Sequence, residues 1–137
     1  MPLIAFLVLT SIARCQTDQT PPEDGPKKIN VKSAVLIPDP IQPKDILAGH
    51  PTAATRALHT DADGKYAVGV WRCDPGTFRW TFGRDEFVYI LEGEATVKYT
   101  TGRLVELHPG DAAYFPKGET TWTITKPLKK VFSMREP

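Results

Sequence analysis

Apolar and polar residues alternate in short runs along most of this chain, and turn residues separate the runs. Phe78, Trp80 and Phe82 alternate with Arg79 and Thr81, which predicts a half-buried strand. Ala95, Val97 and Tyr99 do the same over residues 94–99. Further strands are predicted over 34–37, 56–59, 65–73, 103–107, 112–115, 122–125 and 129–134. Residues 44–47 read as a brief turn or helical segment. Residues 85–91 are apolar on both faces after Asp85 and Glu86, as in a strand covered on both sides. Asp61-Ala62-Asp63-Gly64, Asp74-Pro75-Gly76, Thr100-Thr101-Gly102 and His108-Pro109-Gly110-Asp111 punctuate these runs as turns. Many short strands at turn spacing, with no long helical period, predict an all-β sandwich or barrel.

Length and charge narrow the function. At 137 residues the chain is one domain with a leader or tail. A net charge of +1 gives no field that would draw nucleic acid or an acidic membrane surface. Thirteen prolines, most of them in the first half, argue for an extended N-terminal region. Residues 1–13 contain an apolar run that is too short to span a bilayer and suits a secretory signal, with Ser11 and Ala13 where a signal peptidase reads. The expectation is export to the periplasm or the exterior. The competing reading is a buried N-terminal strand in a cytoplasmic protein, or a mis-assigned start. Residues 14–33 read as a flexible polar linker, and the folded domain is expected over 34–137.

Candidate chemistry concentrates in residues 76–93. Glu86 opens the apolar run that ends at Gly93, with Trp80 six and Phe82 four positions before it. Regular alternation puts these aromatics on the same face as Glu86. A carboxylate among aromatic rings can act as a general acid or base, or anchor a ligand amine. Its competing role is a structural glutamate at a barrel mouth. Trp71, Trp80, Phe82 and Trp122 are candidate stacking surfaces for a sugar ring, a ureide or a cationic nitrogen, against the plainer role of core. Tyr89 falls on the opposite face and is expected to pack. Arg79 and Arg84 read as surface charges. His50, His59 and His108 lie in separate segments and form no metal-binding pair. Cys15 and Cys73 are too few for a disulfide framework and match no zinc spacing, so Cys73 reads as a buried, inert thiol.

Pro75-Gly76 followed by Phe78 and Trp80, then Asp85-Glu86-Phe87, Tyr89-Ile90-Leu91-Glu92-Gly93-Glu94, the Pro109-Gly110-Asp111 turn, and Tyr114-Phe115-Pro116-Lys117-Gly118 before Trp122, together resemble the cupin superfamily. More closely they resemble its ureidoglycine aminohydrolase-type, or DUF861, branch, over roughly residues 47–132. The resemblance implies a double-stranded β-helix, or jelly-roll, barrel with an internal pocket, and commonly a homodimer. In that family the first motif places two histidines and a glutamate on a metal, and the second adds a third histidine. Only Glu86 matches here. Trp80 and Phe82 stand at the first two histidine positions, and motif counting puts Thr121 at the third. One carboxylate cannot hold a transition metal tightly, so no metal or other cofactor is expected. Counting puts Thr121 in the pocket, whereas the alternation of Trp122 and Ile124 puts Trp122 on the buried face. Lys130 matches a basic position of the same branch and could pair with Glu86 across the barrel. Three functions follow. The first is metal-independent binding of a small polar, nitrogen-containing or carbohydrate-like metabolite. The second is an aminohydrolase-like C–N cleavage in which Glu86 and Lys130 serve catalysis. The third is a structural or partner-binding barrel.

Overall fold

The computed structural model describes residues 25–137; the leader and the first part of the linker lie outside the described residues. Nine strands follow in order: β1 (Ile37–Pro38), β2 (Ile46–Gly49), β3 (Ala53–Thr60), β4 (Tyr66–Cys73), β5 (Gly76–Phe82), β6 (Asp85–Tyr99), β7 (Leu104–Leu107), β8 (Ala112–Phe115) and β9 (Gly118–Arg135). One 3₁₀ turn, Pro43–Asp45, leads into β2. All the pairings are antiparallel.

Two long strands organise the barrel. β6 and β9 pair along nearly their whole length. Beyond that ribbon each half pairs with different strands. The C-terminal half of β9 pairs with β4, and the N-terminal half of β6 with β8. The N-terminal half of β9 pairs with β5, and the C-terminal half of β6 with β7. One sheet is thus β1-β3-β4-β9-β6-β8, and the other is β2-β5-β9-β6-β7. Rings from the two sheets meet between them. Trp71 of β4 packs edge-on against Trp122 of β9, and Phe82 of β5 stacks on Phe115 of β8 with centroids 5.1 Å apart. This is the jelly-roll barrel expected from the sequence.

The ribbon must bend where it passes from one sheet to the other, and the register of β6 shifts repeatedly between Ile90 and Ala95. Gly93 sits in that bend with φ of 89°, a left-handed value that favours glycine. A Cβ there would stand 2.1 Å from the Pro127 carbonyl oxygen. The sequence suggested separate strands on either side of Gly93, and likewise around residues 126–128. Both pairs are single bent strands, because bulges carry the ladder through the corner.

Three expectations change. The strand expected over 34–37 is confined to Ile37–Pro38, and Val35 is exposed. Residues 44–47 divide between the 3₁₀ turn and β2. Residues 85–91 are covered on one face only. Val88 and Ile90 are fully buried, whereas Phe87, Tyr89 and their neighbour Tyr114 face outward and are exposed. The outward residues are aromatic, and β-strands favour aromatics even on a wet face, so composition alone could not separate the two faces.

Candidate functional site

The register of the two sheets determines which side chains face inward. In the β4–β9–β6 sheet, Trp71 pairs with Lys130, and Lys130 with Ile90. Two positions further along, Gly69, Phe132 and Val88 form the next inward row. The row after that holds Ala67, Met134, Glu86 and Phe115. In the opposing sheet, Phe78 and Trp80 of β5 pair with Trp122 and Thr120 of β9. Between the two lies a cavity of about 130 Å³. That is close to the ~150 Å³ of an apolar cavity that accepts one benzene.

Trp71, Phe78, Trp80 and Trp122 form its aromatic walls, Phe132 and Met134 add apolar lining, and the exposed Asp39 with half-buried Thr55 stands at its rim. The ionic centre is Glu86 with Lys130, both on the cavity wall. Lys130 Nζ donates to Glu86 Oε1 at 2.6 Å. The residues are only 3% and 5% exposed. They stand two inward rows apart, so both side chains must reach along the sheet to meet. The ammonium also lies 5.0 Å from the Trp71 ring centroid and 4.9 Å from that of Trp122. A buried charge needs such company. The carboxylate and two π-faces replace the water that Lys130 gives up. Trp122 itself is held by Phe78, stacked at an interplanar angle of 7°. Its Nε1–H is buried without a hydrogen-bond partner among the described residues.

Most of the sequence-selected residues therefore come together: Glu86, Lys130, Trp71, Trp80 and Trp122 share one cavity. Two do not. Thr121 pairs with Arg79 and Lys98 on the outer faces of their strands, so Trp122 is the residue of that pair on the cavity wall. The alternation of the strand, rather than motif counting, gives the right face. Phe82 points inward but lies to one side of the cavity, packed on Phe115, Tyr99 and Trp122. It borders a shallower groove with Trp80 and Glu86. Trp80 is the exposed member of its strand's inward row, at 38%, and stands at the opening. Sequence reasoning missed Asp39 and Thr55. Thr55 Oγ1 donates to Asp39 Oδ2 at 2.8 Å, which fixes the carboxylate at the rim. Both belong to the N-terminal edge, outside every motif. Only Asp39's position between two prolines hinted at a fixed turn.

Other expectations hold in geometry. Cys73 is fully buried, and burial pushes its thiol up to about 12, so it remains protonated at neutral pH. His108 is exposed, but Arg84 is not the free surface charge expected: it is half-buried between β5 and β6 and donates to the Gly64 carbonyl in the β3–β4 turn.

The fold family usually places a metal here, but this donor set does not suit one. Among the described residues no three His, Cys, Asp or Glu side chains lie close enough to share an ion. Glu86 already engages an ammonium, whose positive charge would oppose a cation at the same place.

Jelly-roll topology with an aromatic cavity between the sheets is the architecture of a cupin domain. The EutQ-like cupin domain family matches residues 60–132, and the chain belongs to that family. No curated protein matches it. A protein of Salmonella typhimurium LT2 ascribed to ethanolamine utilization, EutQ, is 27% identical over 61% of this chain and 69% of its own, with a TM-score of 0.55. A DUF861 protein from Pseudomonas syringae pv. tomato has a TM-score of 0.67 and 22% identity over 75% of this chain. Ectoine synthase from P. lautus is 21% identical, with a TM-score of 0.54 over 69% of this chain and 70% of its own. This chain spans only 45% of the Pseudomonas protein. The last two likenesses are of fold.

Proposed function

We propose that this protein binds a small organic molecule in the cavity lined by Trp71, Trp80 and Trp122, without a metal ion. The observation that carries the reading is the buried Glu86–Lys130 pair, set on the wall of a cavity otherwise built from rings and apolar side chains. Binding sites combine an apolar surround with a few placed polar groups. The ionisable lining consists of Asp39, Glu86 and Lys130, one positive and two negative charges. That balance disfavours an anion and suits a neutral polar or nitrogen-containing cationic ligand. Stacking on Trp80 and Trp71 would supply the apolar contact.

The test pairs metal analysis with a ligand screen. Purified protein, incubated with manganese, zinc and iron and then desalted, should carry no stoichiometric metal. A panel of neutral, cationic and anionic molecules of benzene size or smaller should raise the melting temperature only in its first two groups. Stoichiometric metal lost in Glu86→Gln would refute the metal-independent reading.

A second reading is C–N cleavage of the aminohydrolase type, with Glu86 as proton shuttle. It is favoured by the ammonium that Glu86 already engages, a group with which it can exchange a proton. Turnover of ureidoglycine, lost in Glu86→Gln while binding survives, would establish it.

A further inference from the structure

We infer that Lys130 forms a reversible imine with a small, neutral aldehyde or ketone held in this cavity. The inference rests on the small-molecule reading above and adds a covalent step to it. Lysines that form Schiff bases are removed from bulk water and stand beside a group that can take a proton. Lys130 meets both conditions. It is buried, and the only hydrogen bond of its side chain among the described residues goes to Glu86. The ammonium otherwise lies against the Trp71 and Trp122 rings, neither of which can accept a proton from it. The adjacent Lys129 is also buried, but it pairs with Arg72 and Glu92 and is not on the cavity wall. Lys130 is therefore the one amine on that wall among the described residues.

The step balances without an oxidant or reductant. Glu86 takes a proton from the ammonium. The free amine attacks the carbonyl carbon, and the alkoxide oxygen receives the proton back from Glu86. Glu86 then removes a proton from the substituted nitrogen and returns it to the hydroxyl, which leaves as water. The products are the protonated imine, one water and the Glu86 carboxylate. The cavity lining carries more negative than positive charge, which favours a neutral carbonyl compound over a keto acid.

The experiment treats the full chain with propanal and sodium cyanoborohydride at neutral pH, then maps the modified lysines by peptide mass spectrometry. Lys130 should acquire a propyl group roughly tenfold faster than any other lysine, a modest return for a positioned reaction partner. Glu86→Gln should slow that labelling, and Lys130→Arg should remove it while leaving the slow surface labelling. The wild-type map is decisive even if a variant folds poorly. Labelling spread over exposed lysines, with Lys130 unmodified, would overturn the inference and show the pair to be a structural ion pair. The melting-temperature screen keeps the two readings apart. Shifts by non-carbonyl ligands without Lys130 labelling would leave the binding reading standing and the imine refuted.

Discussion

Lys130 follows Glu86 by 44 positions in sequence and lies two inward rows from it, yet the two close a 2.6 Å ion pair inside the barrel. Both are almost fully withdrawn from solvent. The cost of burying these charges is offset only while both are present.

Removing one partner should therefore be worse than removing both. Glu86→Ala should lower unfolding stability by about 3–5 kcal/mol, because it strands a buried ammonium. A Glu86→Leu/Lys130→Met double variant should recover most of that loss. Urea denaturation of the two variants checks this. A double variant no more stable than Glu86→Ala would mean that the pair does not act as a unit.

Gly93→Ala should be costly for a small substitution. The residue needs positive φ, and the added carbon would collide with the Pro127 carbonyl. A loss of at least ~2 kcal/mol is expected, above the usual change for a point substitution. The melting temperature reads it, and an unchanged value would show that the corner can relax.

Cys73 should be silent toward thiol reagents. Its thiol is raised to about 12, chiefly by burial, so the reactive thiolate is scarce at pH 8. In a Cys15→Ser background, Ellman's reagent should react slowly with native protein and at once in denaturant. Rapid native labelling would mean that β4 opens readily.

Asp85 should shape the acid limb of the stability curve. It accepts hydrogen bonds from the Tyr114 hydroxyl and the Lys117 backbone N–H, and the Tyr114 bond is the larger cause of its lowered pKa. A carboxylate depressed in the folded state stabilises above its unfolded pKa, near 4, and that contribution disappears as pH falls through the lower folded value. Asp85→Asn should lose stability near neutrality and show a flatter decline below pH ~4. Thermal melts across that range would reveal it; parallel curves would rule the group out.

Much of the barrel was legible in the sequence because alternation and turn residues are local signals. Phe78, Trp80 and Phe82 share a face, as their spacing requires, and Asp61–Gly64 makes its turn, with the Gly64 N–H bonded to the Asp61 carbonyl. Gly93 marks a bend or a close backbone approach from the sequence alone, and both are present; the continuity of the strand through it was harder to read. A glycine inside a strand pattern fits a strand end as well as a bulge, and only the pairing with β9 decides. The Glu86–Lys130 contact depends on a register set between strands distant in sequence, so a motif could suggest the pair but not its geometry. Asp39 was invisible as a site residue, since its place at the rim comes from β1 pairing with β3 at the sheet edge. Phe82 fell outside the cavity around Glu86 and Lys130 because Phe115, on a strand from the other sheet, takes the space it faces.

The bent β9 gives the cavity an unusual dependence. Lys130 and Trp122, on opposing walls, belong to the same strand on either side of its corner. The gap between those walls is thus an angle in one piece of backbone. Substitutions at Pro127 or Gly93, which touch no ligand, should tune the size of molecule admitted, as opening a hinge changes what passes between its leaves.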